Sequence, residues 1–535
     1  MTQNMFLKLL ENEKNFLILM LIIALFIRLL FLPMYQVVTS DGGAYLSLGE
    51  NLIKGNGYVD LYGKTNLSFP PLYPLATGIT WFFINDIELA GRIVSLIFGV
   101  LLIIPVYYLT KIYYNKKSAY IAVLFTTFYF HLIHYSVETM VESMYIFLLV
   151  IAIYFGLFAI NKKYSKYYIY SGIVLGLCYL LKPEAIMYIL IIIFITFFYR
   201  LIDYKKNTVF IQILKNIIFM LFFFFIIISP YLLLLYTETG QLNFSAKSQN
   251  LLIGEKNDEL SYEYMLFRLV DNNTKVNLDT FSAGVDPFQY IITHQQELTS
   301  RYITNIWEEM TEYFPKIFPI WLIAIITIGL FTKKWDKKRL KNEFYLFLTI
   351  ILPLLIFPFF HIMIRFLIPI IPFLLVWFSN GLIHLQDWFI DTFRNSFNIN
   401  PKLDKSFFFK NLVVILFFIS ILPLNYYIIP THQHIEQKEM GIWVSENIED
   451  PVIMSRGYAS FYTKKIIYPV PYSNYTDLIK YAKYNNINYL IMDELTAEVR
   501  PELEFLIDPG KIPEEFEIIY KIENNENVYL YKLKH

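Results

Sequence analysis

The chain has 535 residues, of which 56% are hydrophobic and 19% aromatic, against only 17% charged. A soluble domain carries about a quarter charged residues, so this balance belongs to a membrane protein. The 45 Lys and Arg cancel the 45 Asp and Glu, which gives no case for a nucleic-acid partner, and the single Cys178 excludes an intramolecular disulfide.

The first apolar run, near 15–34, follows Lys8 and Lys14 and has no small-residue cleavage site, so it reads as an uncleaved first transmembrane helix. A crossing needs about 20 apolar residues. Further spans are predicted near 92–114, 118–137, 142–160, 167–182, 184–200, 217–236, 314–331, 343–360, 366–385 and 411–430. The stretch LATGITWFFI after Pro74 is too brief and is expected to be interfacial or re-entrant. The total is about eleven spans.

Lys and Arg gather in alternate connections: Lys116 and Lys117; Lys162, Lys163 and Lys166; Arg200, Lys205 and Lys206; Lys333 to Lys341; and Arg394, Lys402, Lys405 and Lys410. Eleven spans place all five on one side. The positive-inside rule makes that side the cytoplasm, with the N-terminus on it and the protein in the plasma membrane. The opposite side then receives the outer loops 35–69 and 237–313 and everything after Pro430. The second loop is acidic (Glu255, Asp258, Glu259, Glu263, Asp271, Asp279, Asp286) and is expected to carry helices that roof a site.

After residue 430 the pattern changes. EQKEMGIWVSENI and YTDLIKYAKYNN read as helices, VIMS and INYLIMD as strands, and EEFEIIYKIENNENVYLYKL as two strands joined at Asn524–Asn525. The expected fold is mainly α: a polytopic transmembrane helical bundle over 1–430, then a small extracytoplasmic α/β domain over 431–535.

Chemistry-bearing residues stand where this reading puts the outer membrane edge. Asp41, in VVTSDGGAYL, is placed to orient or deprotonate a hydroxyl; equally, Ser40–Gly43 is a turn that starts the next helix. Glu138 and Glu142 are spaced i,i+4 and so share one helix face, fit either for solvation or, with Asp41, for a divalent ion. Arg92, Lys182, and His361 with Arg365 bring positive charge to a side where it is otherwise scarce. Each alone fits snorkelling or interface anchoring; together they fit a phosphate-bearing headgroup. Pro70, Pro71 and Pro74 fix an extended approach around Tyr73. The chain has no phosphate-binding Gly-rich motif, Walker sequence or His/Cys cluster, so no nucleotide is expected.

In this order the elements resemble the integral-membrane GT-C glycosyltransferases, and more closely the branch of protein O-mannosyltransferases and aminoarabinose transferases (glycosyltransferase family 39-like). The elements are Asp41 with Tyr45, PPLYPL, Arg92–Ser95, Glu142 opening a Leu-rich span, Gly176…Lys182-Pro183, RFLIPIIP with Arg365, and the terminal WVSENI…VYLYKL run. The resemblance implies a GT-C-like fold and transfer of a sugar, with inversion, from a polyprenyl-phosphate-linked donor to a protein, lipid or glycan acceptor. It makes Asp41 the catalytic carboxylate, Glu142 and Glu138 a second acidic position with a possible divalent metal, and Arg92, Lys182, Arg365 and His361 the donor-phosphate group. Tyr45 and Tyr73 belong to the donor or acceptor pocket. Two departures stand out: Gly42 follows Asp41 where many relatives have a second acid, and Phe69 precedes the proline pair where some have a base. A transporter or flippase, or a non-catalytic envelope assembly protein, is the competing reading; a transporter would place its polar residues nearer the bilayer midplane.

Overall fold

The computed structural model describes residues 12–162, 164–202, 208–240, 243–246, 267–276, 291–332, 334–360, 362–397, 406–423, 430 and 433–534. Long runs of Leu, Ile and Phe close their backbone hydrogen bonds internally as helices, as a bilayer demands. Six are long and apolar enough to cross: Glu13–Met34, Ile87–Tyr113, Glu142–Lys162, Phe210–Thr239, Lys337–Phe359 and Ile364–Ser396. Two more candidates are bent pairs, Lys116–Phe128 with Phe130–Val137 (52°) and Gln295–Ile317 with Trp321–Phe331 (86°). Helices Leu72–Ile84, Pro183–Tyr199 and Leu412–Ile421 are apolar but shorter. The chain is an integral membrane protein.

The breaks have local causes. Tyr129 is extended between the first bent pair, and the fully buried Arg28 donates to the carbonyls of Ala24 (3.2 Å) and Thr127 (3.4 Å). A charge buried among spans thus finds the Thr127 carbonyl, released where a helix ends. Phe318 is extended ahead of Pro319, a residue position that proline pushes out of the helical region.

One end of the bundle gathers the Lys/Arg-rich turns. Tyr113 donates to the Asn342 carbonyl (3.0 Å), Tyr114 to Glu343 (2.9 Å), Asn161 to the Asn342 side chain (2.8 Å) and Lys341 to the Ile160 carbonyl (3.0 Å). The other end carries a five-stranded mixed sheet. Two short antiparallel strands, β1 (Leu269–Val270) and β2 (Lys275–Val276), precede it in the chain. The sheet itself has the order β4-β3-β5-β7-β6, from β3 (Val452–Ser455), β4 (Ile466–Pro469), β5 (Tyr489–Asp493), β6 (Phe516–Glu523) and β7 (Asn527–Leu533). β3 runs parallel to β4 and β5, whereas β5–β7 and β7–β6 are antiparallel. Helices Ile435–Asn447 and Tyr475–Tyr484 belong to the same unit.

This sheet is tied to both long loops. Ile467 N–H donates to the Leu61 carbonyl (2.9 Å), Tyr472 N–H to the Phe267 carbonyl (2.9 Å) and Asn485 to the Thr274 carbonyl (2.8 Å). Of the acidic residues named in the 237–313 segment, all but Asp271 lie outside the described residues. The segment's helix Gln295–Glu308 is pinned by Asn305, which donates to the carbonyls of Pro358 (3.0 Å) and Phe360 (2.8 Å).

Candidate active site

Thr39 caps the helix Ser40–Lys54, its Oγ1 accepting from Gly42 N–H (3.1 Å), which sets Asp41 in the first turn. Glu142 likewise opens the helix Glu142–Lys162. The positive end of a helix favours a carboxylate in both places. Lys182 follows the helix Ser165–Tyr179 in an extended conformation imposed by Pro183. Arg365 lies on the short helix Ile364–Leu367, beyond the break formed by Phe357–Phe359.

These four side chains line one cavity of about 330 Å³. Arg365 Nη1 meets Asp41 Oδ2 at 2.5 Å, and Lys182 Nζ meets Glu142 Oε1 at 3.1 Å and Glu184 Oε1 at 3.9 Å. Lys182 also lies 5.5 Å from the Phe366 ring centroid and 5.8 Å from that of Tyr145, a setting that suits a cation. The Lys182–Glu142 pair is buried, and Glu142 Oε2 has no hydrogen-bond partner among the described residues. The remaining wall is largely apolar, with Tyr179, Leu181, Ile186, Met187, Ile356, Phe357 and Phe360, and Tyr45, Ser68 and Pro70 close the side next to Asp41. Three carboxylates and two cations therefore face a greasy slot at the ends of several spans.

The other predicted residues stand elsewhere. Arg92 pairs with Glu88 (2.7 Å) in a separate cleft beside Lys438. Glu138 and Glu142 do not share a helix face: the helix Phe130–Val137 ends before Glu138, and the next begins at Glu142. Glu138 instead faces His134 (3.5 Å). Tyr73 is buried behind Tyr45, their rings edge to face at 5.3 Å, and its hydroxyl meets Ser95 Oγ (2.8 Å), which donates to the Met140 carbonyl (3.0 Å). It supports the cavity wall and does not line it. His361 lies outside the described residues. Glu184, Met140 and the two aromatics Phe360 and Phe366 joined the site without a sequence signal, except that Glu184 stands two residues from Lys182.

Both departures have a steric account. A Cβ on Gly42 would lie 2.5 Å from Thr139 Oγ1, so the turn before Glu142 fills the place of a second acid. Phe69 packs its ring edge to face on Tyr45 at 4.7 Å, which leaves Lys182 and Arg365 as the cavity's cations among the described residues. The divalent-ion option is not favoured: among the described residues no three His, Cys, Asp or Glu side chains form a metal-binding group, and Asp41 and Glu142 each already meet a cation.

Residues 68–233 match the family model described as dolichyl-phosphate-mannose-protein mannosyltransferase. No curated protein matches the chain at a comparable level. Among solved structures, the chain is similar to ArnT from Cupriavidus metallidurans bound to undecaprenyl phosphate, with a TM-score of 0.56 at 10% identity over 97% of this chain and 98% of that one. It is also similar to the oligosaccharyltransferase AglB from Archaeoglobus fulgidus in complex with an inhibitory peptide and a dolichol-phosphate, with a TM-score of 0.57 at 13% identity over 91% of this chain and 70% of that one. The cavity sits on a scaffold that these enzymes share, and the chain has the fold of the GT-C glycosyltransferases.

Proposed function

We propose that the protein is a glycosyltransferase that moves a sugar from a polyprenyl-phosphate-linked donor to an acceptor hydroxyl or amide outside the cytoplasm. The observation that carries this reading is the joining of Asp41, Lys182 and Arg365 around one largely apolar cavity. A polyprenyl chain fits the apolar wall, a phosphate fits the two cations, and the carboxylate beside them fits a base. The ArnT structure holds undecaprenyl phosphate and the AglB structure dolichol-phosphate, which agrees with a lipid-phosphate donor here.

In the step proposed, Asp41 takes the acceptor's proton as the acceptor oxygen or nitrogen bonds to the anomeric carbon. The bond from that carbon to the phosphate oxygen breaks, and the phosphate keeps the electron pair. A single displacement of this kind inverts the anomeric centre. Lys182 and Arg365 stabilise the charge that grows on the leaving phosphate. Arrival of the phosphate draws Arg365 partly away from Asp41 and toward the leaving group. The clustering of three basic turns at the far end of the bundle supports a cytoplasmic N-terminus and a cavity facing outward.

Asp41→Asn keeps shape and removes the base. Transfer from polyprenyl-phosphate sugars to a membrane extract is expected to fall by about 10²–10⁴-fold, the usual share of general-base catalysis, with donor KM little changed. Full activity in the variant would remove Asp41 from the mechanism, and an inactive wild type with every lipid-linked donor would remove the class.

A further inference from the structure

We infer that the C-terminal α/β unit acts as a clamp on the helix that carries Asp41, with Phe461 and Tyr462 as positioning residues. The catalytic consequence rests on the transferase reading above; the geometry does not. Three contacts surround the start of that helix. Tyr462 Oη accepts from Val38 N–H at 2.7 Å, one residue before the Thr39 cap. Val38, Leu46 and Tyr462 form a small buried apolar cluster apart from the main cores, with Phe461 packed against it. A Cβ on Gly43 would stand 3.2 Å from Phe461 Cβ, so helix backbone and ring meet with no side chain between them.

A further contact, beside the helix start, is ionic. Lys438 Nζ donates to the Gln36 carbonyl (2.6 Å) and pairs with Glu88 (3.1 Å), and it lies 4.8 Å over the Tyr462 ring. It thus ties the loop before the helix and the start of the span at Ile87 to the same terminal unit. Asp41 is three residues beyond Val38, and a rigid helical turn transmits any shift of Val38 to the carboxylate. Displacement by about 1 Å is enough to reduce catalysis by about 10²-fold. None of the three clamp residues touches the cavity, so their effect on transfer is positional.

The chain's single native cysteine, Cys178, is buried, so a cysteine pair reads the contact cleanly. In Gly43→Cys with Phe461→Cys, the two Cβ atoms lie close to the separation of about 3.5–4.5 Å that a disulfide prefers. Mild oxidation of the folded double variant is expected to give an intramolecular crosslink that neither single variant gives; its absence overturns the clamp. Tyr462→Phe is expected to raise amide hydrogen exchange over 37–46 and to lower kcat several-fold with donor KM unchanged. Unchanged exchange and unchanged kcat would overturn the positioning role. The crosslinked double variant is expected to be at least as active as its own reduced form; loss that reduction restores would mean that the unit must lift during turnover, against a clamp. A wild type inactive toward every lipid-linked donor sinks the transferase reading alone, and crosslinking and exchange still decide the clamp.

Discussion

Lys182 shows how one residue serves both stability and chemistry. Its ammonium compensates Glu142, which is only 1% exposed, so truncation removes the ion-pair partner of a buried carboxylate. Lys182→Ala is expected to destabilise the protein by about 3–5 kcal/mol. Lys182→Met combined with Glu142→Gln is expected to recover most of the thermal unfolding midpoint in detergent while sugar transfer stays lost. Recovery of both would assign the lysine to structure alone. At this scale the sequence was informative about depth and silent about direction. Asp41, Glu142, Lys182 and Arg365 stand out because charge beside an apolar run is expensive. Arg92 and Glu138 satisfy the same test, yet Arg92 turns to Glu88 and Glu138 to His134, because the azimuth of a side chain depends on helix breaks and neighbours that no local pattern records.

Among elements, the Asp41 helix and the turn ahead of Glu142 approach so closely that Gly42 is the residue the contact allows. Gly42→Ala inserts a methyl 2.5 Å from Thr139 Oγ1 and is expected to lower stability by about 1–3 kcal/mol, a typical overpacking penalty. Adding Thr139→Ala removes the opposing hydroxyl and is expected to restore part of the loss; thermal unfolding of both variants checks it. The helices and strands of the terminal unit were legible because their periods switch cleanly between 3.6 and 2 residues: VIMS became β3, and the turn at Asn524–Asn525 separates β6 from β7. β4 escaped notice, since Ile466–Pro469 is four residues long and ends in proline. The break after Phe128 was equally hidden: it lies inside an apolar run with no proline, and its buried cap, Arg28, comes from 99 residues earlier.

Across the whole molecule, proton binding biases the terminal unit toward lower pH. Glu526 accepts from His434 (2.9 Å) and raises the imidazole above its ordinary value, while burial raises the Asp493 carboxyl to about 6. The His434 contribution is complete below about 6.5, the unfolded value, and fades as pH rises through the raised folded value. Asp493 works in the same sense: the penalty for its ionised form is full above about 6, shrinks as pH falls below that value and is gone near 3.8, its ordinary value. Limited proteolysis within 433–534 is therefore expected to be slower at pH 5.5 than at pH 8. Glu526→Gln should shrink the difference; equal rates at both pH values in the wild type would contradict the linkage.

The bond from Val38 to Tyr462 joins positions 424 residues apart. During synthesis the first loop emerges long before its partner exists, and closure over such a separation is slow. The spans can therefore insert and pack in order while the loop from Gln36 to Leu46 waits for nearly all of the protein to be made. A ribosome stalled between the last span and β3 would display a bundle with every cavity side chain translated and the start of the Asp41 helix still unanchored. Competence then arrives as a late event in biogenesis.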